Sequence, residues 1–331
     1  MLTNESYTTP GSLAILIFLV LLQCPQVSYG SEWIKMFEFS SLKQSQRLLR
    51  SQDAFTRNLS PFDLDSRMGS PGTSLAPFLD FVASHARQFT QQEIEVVSTA
   101  LHAIAPRLQS IAQKLPFPES IPLVKTTGNE EGGAMGYTRS HFIVLSEKSM
   151  QRGGGFLEEF LAHELFHVLS RASSEFRRAM YAMIGFELCN DIELPRSLLP
   201  LKITNPDAPD LNSFIRVMVG GRPVEGTMVL YSVRPYSGGS FFEYLNVGLL
   251  EVHGMGHKRF LEHNGKPLVY GLEEISGFEE QVGHNTRRDV HPEEIMADNF
   301  VAFVTGQESK KSAFVMDRMQ AYFFAPTDEA K

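Results

Sequence analysis

Residues 163–167 read His-Glu-Leu-Phe-His, two imidazoles and a carboxylate at a spacing that can do metal chemistry. On a helix, residues four apart share a face, so His163 and His167 can each offer a nitrogen to one tetrahedral cation, about 2 Å from each. Glu164 falls beside that face, where it can reach a water at the cation without ligating it, the place of a general base. The flanking run FLEEFLAHELFHVLS is apolar almost all the way round, which buries the motif. With this chain's own His and Glu content, H-E-x-x-H arises by chance in about 0.02 of such sequences. The donor types point to Zn2+.

The third ligand has to come from elsewhere, because VLSRAS follows His167 and the spacing H-E-x-x-H-x-x-G-x-x-H fails. The segment HPEEIMADNF (291–300) again puts two carboxylates four apart on a helix. Glu294 is expected to bind the metal, and Asp298 to accept a hydrogen bond from the outer nitrogen of a ligand His, fixing its ring. Glu293 fits an acidic first turn that complements the helix dipole. Glu175, His253, His284 and His291 compete for the third position. Three protein ligands leave room for a water that the cation acidifies, with Glu164 to take its proton. An oxyanion would need a further donor. Tyr231, Arg234, Tyr236, His253 and His284 are available, and Tyr231 and His253 are carried as the catalytic candidates.

These residues need elements to hold them. A glycine triplet, Gly153–Gly155, opens a helix expected over about 156–170, and a second should run over about 174–186. IPLVKTT and GYTRSHFIVLS read as strands before it. Earlier, 33–70 reads as one or two helices with a loop, and 75–114 as a packed helix pair with Val97, Leu101, Ile104, Leu108 and Ile111 at helical spacing. Residues 190–225, with NPDAPDLN, read mainly as ordered loop. VEGTMVLYSV and GSFFEYLNVGLLEVHG form a hairpin or two strands around Gly238 and Gly239, and the last firm helix begins near Pro292 and ends near Val304.

HELFH with a downstream E-x-x-x-D resembles the gluzincin branch of the zincin metallopeptidases. That resemblance implies two His and a Glu on zinc, a motif Glu that activates water, and an Asp that supports a His. It also implies that the strand around Gly136–Val144, as the edge strand before the active-site helix, pairs with an extended substrate. The stretches LSPFD, GYTRSHFIVL, HELFHVLSR, KITNPDAP and HPEEIMADNF resemble a group of bacterial HExxH proteins of no known substrate. The fold class expected is α+β and zincin-like: a helical N-terminal part, a small mixed sheet with the active-site helix, and a large β-containing insertion before the third-ligand helix. The parts are 1–30 a signal peptide, 31–115 the helical region, 116–309 the metal-binding catalytic domain with 190–285 inserted, and 310–331 a tail. The 126 residues between His167 and Glu294 exceed the gap in many gluzincins.

The function implied is a zinc-dependent peptidase acting on peptide or protein substrates. The alternatives are a non-catalytic zincin-fold binding module and a metal-dependent hydrolase of a non-peptide amide or ester. Composition bounds the partners. The net charge of −8 is spread without a Lys/Arg stripe, which excludes a nucleic-acid footprint. Leu13–Leu22 (LAILIFLVLL) has the length of a signal-peptide core and is too short to span a bilayer, with cleavage expected before Ser31, although no Lys or Arg precedes it. A secreted or periplasmic location follows, with membrane anchoring if the leader stays uncleaved. Once the leader is removed, Cys189 is the remaining cysteine, so no internal disulfide can form. Its apolar surroundings (IGFELC) point to an inert thiol.

Overall fold

The computed structural model describes residues 33–286, 291–307 and 311–325, so the expected leader and its cleavage point lie outside the described residues. The architecture is α+β. After a short strand β1 (Phe37–Phe39), the N-terminal part runs through helices α1 (Leu42–Leu49), α2 (Ala54–Asn58), α3 (Pro61–Met68) and α4 (Leu75–Ser84). Strand β2 (Ala86–Arg87) and the long helix α5 (Gln91–Ile111) follow. Ser41, Asp53, Ser60 and Thr90 each cap a helix with a side-chain oxygen on a first-turn N–H, so the polar punctuation of this region sets its helix starts.

Strands β3 (Ile121–Thr126), β4 (Gly136–Arg139) and β5 (Phe142–Ser146) build the first sheet, in the order β1-β3-β5-β4 with β2 also on β3. β1, β3 and β5 run parallel, whereas β4 is an antiparallel edge strand. Alternation along the strands splits the core. Leu123, Ile143 and Leu145 face the main core, while Val124, Tyr137, Phe142 and Val144 face a second cluster with Leu49, Phe55, Phe78 and Val82 from the N-terminal helices. Helices thus cover both faces of this sheet.

A short helix α6 (Glu147–Met150) leads through Gly153, whose φ of 95° suits only glycine, into α7 (Gly154–Ala172). α7 packs against α5 and the first sheet, and α8 (Ser174–Ala182) follows it directly. A second, antiparallel sheet is built on β6 (Phe186–Leu188), β7 (Ser213–Val219), β8 (Arg222–Tyr231) and β9 (Asn246–His253), with short strands at its margins. The expectation of loop through 190–225 is corrected here. SFIRVMV forms β7, and Gly220-Gly221, both at positive φ, make the tight turn into β8. After a short helix α9 (Glu279–Val282), α10 (Pro292–Thr305) docks on α7. The stretch expected as a tail contains a further helix, α11 (Ala313–Phe324). Val315, Met319 and Phe323, four apart, bury one stripe of it in the main core. Among the described residues no helix is long and apolar enough to cross a membrane.

Candidate metal centre

The centre forms where α7 crosses α10. His163, Glu164 and His167 are all buried on α7, and Glu293 and Glu294 are buried in the first turn of α10. His163, His167 and Glu294 form a group whose ligand atoms all lie within 4.8 Å of one another. The two rings stand 4.8 Å apart at 83°. His163 Nε2 is 3.2 Å from Glu294 Oε2.

The outer nitrogens are held by carboxylates. His163 Nδ1 lies 3.1 Å from Asp298 Oδ1, one turn beyond Glu294 on α10, and Thr286 Oγ1 donates to the other Asp298 oxygen at 2.6 Å. His167 Nδ1 lies 3.1 Å from Glu293 Oε1. Glu293 Oε2 accepts from Ser170 Oγ and Tyr181 Oη, each at 2.7 Å. With Nδ1 engaged, His167 presents Nε2, which is buried without a hydrogen-bond partner. An orphaned imidazole nitrogen beside a second imidazole and a carboxylate, each ring braced from behind, is a donor set that fits a divalent cation. Burial opposes protonation of His163, but the hydrogen bonds to Asp298 and Glu294 outweigh it and push its pKa up to about 10. A bound cation would take the place of that proton.

Glu164 stays outside the His–His–Glu group and forms a second one with His167 and Asp207, whose ligand atoms also lie within 4.8 Å of one another. Its Oε2 accepts from Thr138 Oγ1 at 2.7 Å, and Thr138 belongs to the edge strand β4. The remaining groups arrive from the segment between β6 and β7. Asn205 Nδ2 donates to Glu294 Oε1 at 2.7 Å, and its Oδ1 accepts from Asp207 N. Asp207 Oδ1 accepts the backbone N–H of Thr138 at 2.6 Å. Burial and the charge of Glu164 push the Asp207 pKa up to about 8. Beside these groups lies an open cleft of about 560 Å3, with Arg57, Arg171, Arg177, His141, Asp207 and Glu293 among its lining.

His163, His167 and Glu294 come together, with Asp298 behind His163. Tyr231 and His253 do not enter the cluster. Tyr231 ends β8 opposite Asn246, and His253 is exposed at the end of β9 opposite Arg259, lining a different cleft. His291 caps α10, its Nδ1 accepting from Glu293 N at 3.2 Å, and burial lowers its pKa to about 4. Glu175 lies exposed in the first turn of α8, and exposed His284 bonds through its backbone to Ser312. Glu293 is not a solvated complement to the helix dipole but the buried support of His167. Its signal was present in the sequence: α10 is apolar around both glutamates, so neither could face water. Ser170, three residues from His167, was also within reach of helical spacing. Asn205 and Asp207 carried no local signal.

The class defined by this geometry is a buried His–His–Glu metal-binding centre with the Glu164 carboxylate beside it. Compared with protein-family models, curated proteins and solved structures, the chain finds no match.

Proposed function

We propose that the protein is an exported zinc-dependent peptidase of the zincin type. The observation that carries this reading is the position of Glu164, buried next to His163 and His167, hydrogen-bonded by Thr138 and not part of the His163–His167–Glu294 group. A purely structural site has no use for a buried carboxylate there. A bound divalent cation supplies Lewis acidity to a carbonyl and to water. Glu164 accepts the proton of the attacking water and returns it to the leaving amine. Thr138 fixes the carboxylate for that task, and Asp298 and Glu293 keep both imidazoles in the tautomer that presents Nε2 to the centre.

The test is zinc content measured beside cleavage of a peptide library, for wild type and Glu164→Gln. The expected result is zinc in both and cleavage in wild type alone. Zinc in both with no cleavage in either would establish a second reading, a non-catalytic metal-binding module. One observation favours that second reading: a carboxylate of the chain, Asp207, already stands against Glu164. An intact leader in the membrane fraction would replace export with anchoring.

A further inference from the structure

The ligand atoms of Glu164, His167 and Asp207 also lie within 4.8 Å of one another, so His167 belongs to two groups at once. Its Nδ1 is committed to Glu293, which leaves Nε2 as the nitrogen both groups share. Donor atoms on one tetrahedral zinc stand about 3 to 3.5 Å apart. Asp207 thus stands beside the nitrogen that a cation on His163, His167 and Glu294 would use, close enough for a small shift to bring it on, whereas the Glu164 carboxylate is held by Thr138. We infer that Asp207 is a fourth protein donor to the cation held by His163, His167 and Glu294, and that the 202–210 segment closes the site in the resting chain. The inference rests on the metal-centre reading and needs no peptidase activity.

The segment is built into place at both ends. Ser60 Oγ donates to Lys202 O at 2.5 Å, and Thr204 is bonded through N and Oγ1 to the buried Asp63. Asp63 is in turn paired with Arg67, which also binds Glu131 and Thr204 O. Asn58 Nδ2 donates to Pro209 O and Asp210 Oδ1. In the middle, Arg171 Nη2 donates to the carbonyls of Pro206 and Asp207 at 2.7 and 2.6 Å. Asp207 meanwhile takes the Thr138 N–H of edge strand β4. That N–H is a main-chain donor an extended peptide would need if it added to the strand. One residue thus blocks the site twice, at the cation and at the strand. The open cleft that 206–210 lines leaves space beside the segment.

The test uses the full chain loaded with Co2+ in place of zinc, with acetohydroxamate as the probe of an accessible position. Asp207→Ala is expected to change the visible Co2+ absorption and to bind acetohydroxamate at least tenfold more tightly than wild type. Arg171→Ala, which frees the segment but keeps the carboxylate, is expected to tighten binding by a smaller factor, and it decides the matter if Asp207→Ala does not fold. Wild-type absorption and wild-type hydroxamate affinity in the folded variants would overturn the inference. Absence of cleavage in every form alongside the expected spectral change would remove the peptidase reading and leave this one standing.

Discussion

Glu293→Gln tests whether the buried support of His167 tunes the centre. Three donors converge on this carboxylate: His167 on Oε1, Ser170 and Tyr181 on Oε2. Burial opposes its ionisation, but the His167 bond and the two hydroxyls hold its pKa below the usual carboxylate range. Glutamine keeps the volume and has a single acceptor oxygen. With that oxygen toward the hydroxyls, its NH2 meets His167 Nδ1, which can then only accept. The imidazole proton moves to Nε2, the atom a cation needs. With the oxygen toward His167 instead, two buried hydroxyls lose an acceptor, at about 1–3 kcal/mol each. Either way, zinc affinity should fall about 10–100-fold, roughly 1.4–2.7 kcal/mol. Competition against a chromophoric chelator measures this directly, with far-UV circular dichroism to confirm the fold. A folded variant that binds zinc within about threefold of wild type would refute the assignment.

Three other outcomes follow. Arg67→Met leaves Asp63 and Glu131 buried without their cation and should cost about 3–5 kcal/mol in urea unfolding; a loss under about 1 kcal/mol would show the cluster to be hydrated. Burial pushes the half-buried Cys189 thiol up to about 11, so alkylation of Cys189, followed by peptide mapping, should keep accelerating toward that pH in the folded chain. In urea it should level off near pH 8.5, and because the folded thiol holds its proton longer, stability should decline as pH rises through this window. Zinc at about 100 times its Kd should add about 2.7 kcal/mol to the unfolding free energy, and Glu294→Ala should abolish most of that gain in a thermal melt.

The parts of the fold visible in the sequence are those whose pattern is local. Val97, Leu101, Ile104, Leu108 and Ile111 marked α5, and all five are buried in the main core. The glycine triplet before Phe156 marks the start of α7, since Gly153 takes the left-handed φ that favours glycine. β7 is hard to see in the sequence because SFIRVMV is a short β-branched stretch between a Pro/Asp-rich run and Gly220-Gly221, whose composition is that of a loop. α11 is masked for the opposite reason: it carries aromatic residues on both faces, so Tyr322 and Phe324 obscure its buried stripe of Val315, Met319 and Phe323. At the site, helical spacing brought out His163, Glu164, His167, Glu294 and Asp298. It could not reveal Asp207, because nothing in NPDAPD says which carboxylate points inward.

The long gap between His167 and Glu294 takes on a physical role at the centre. α10 alone supplies the third donor and both supporting carboxylates, Glu293, Glu294 and Asp298, so α7 and α10 would suffice to assemble a three-donor site. The chain between them is therefore not needed to supply those three donors. It sends back Asn205 onto Glu294 and Asp207 onto β4, from a segment laced to α2 and α3. The N-terminal helices, which cover the far face of the first sheet, thus also fix what stands in front of the centre. Loosening Arg67 or Asn58 should for that reason change access to the centre before it changes the three donors on α7 and α10.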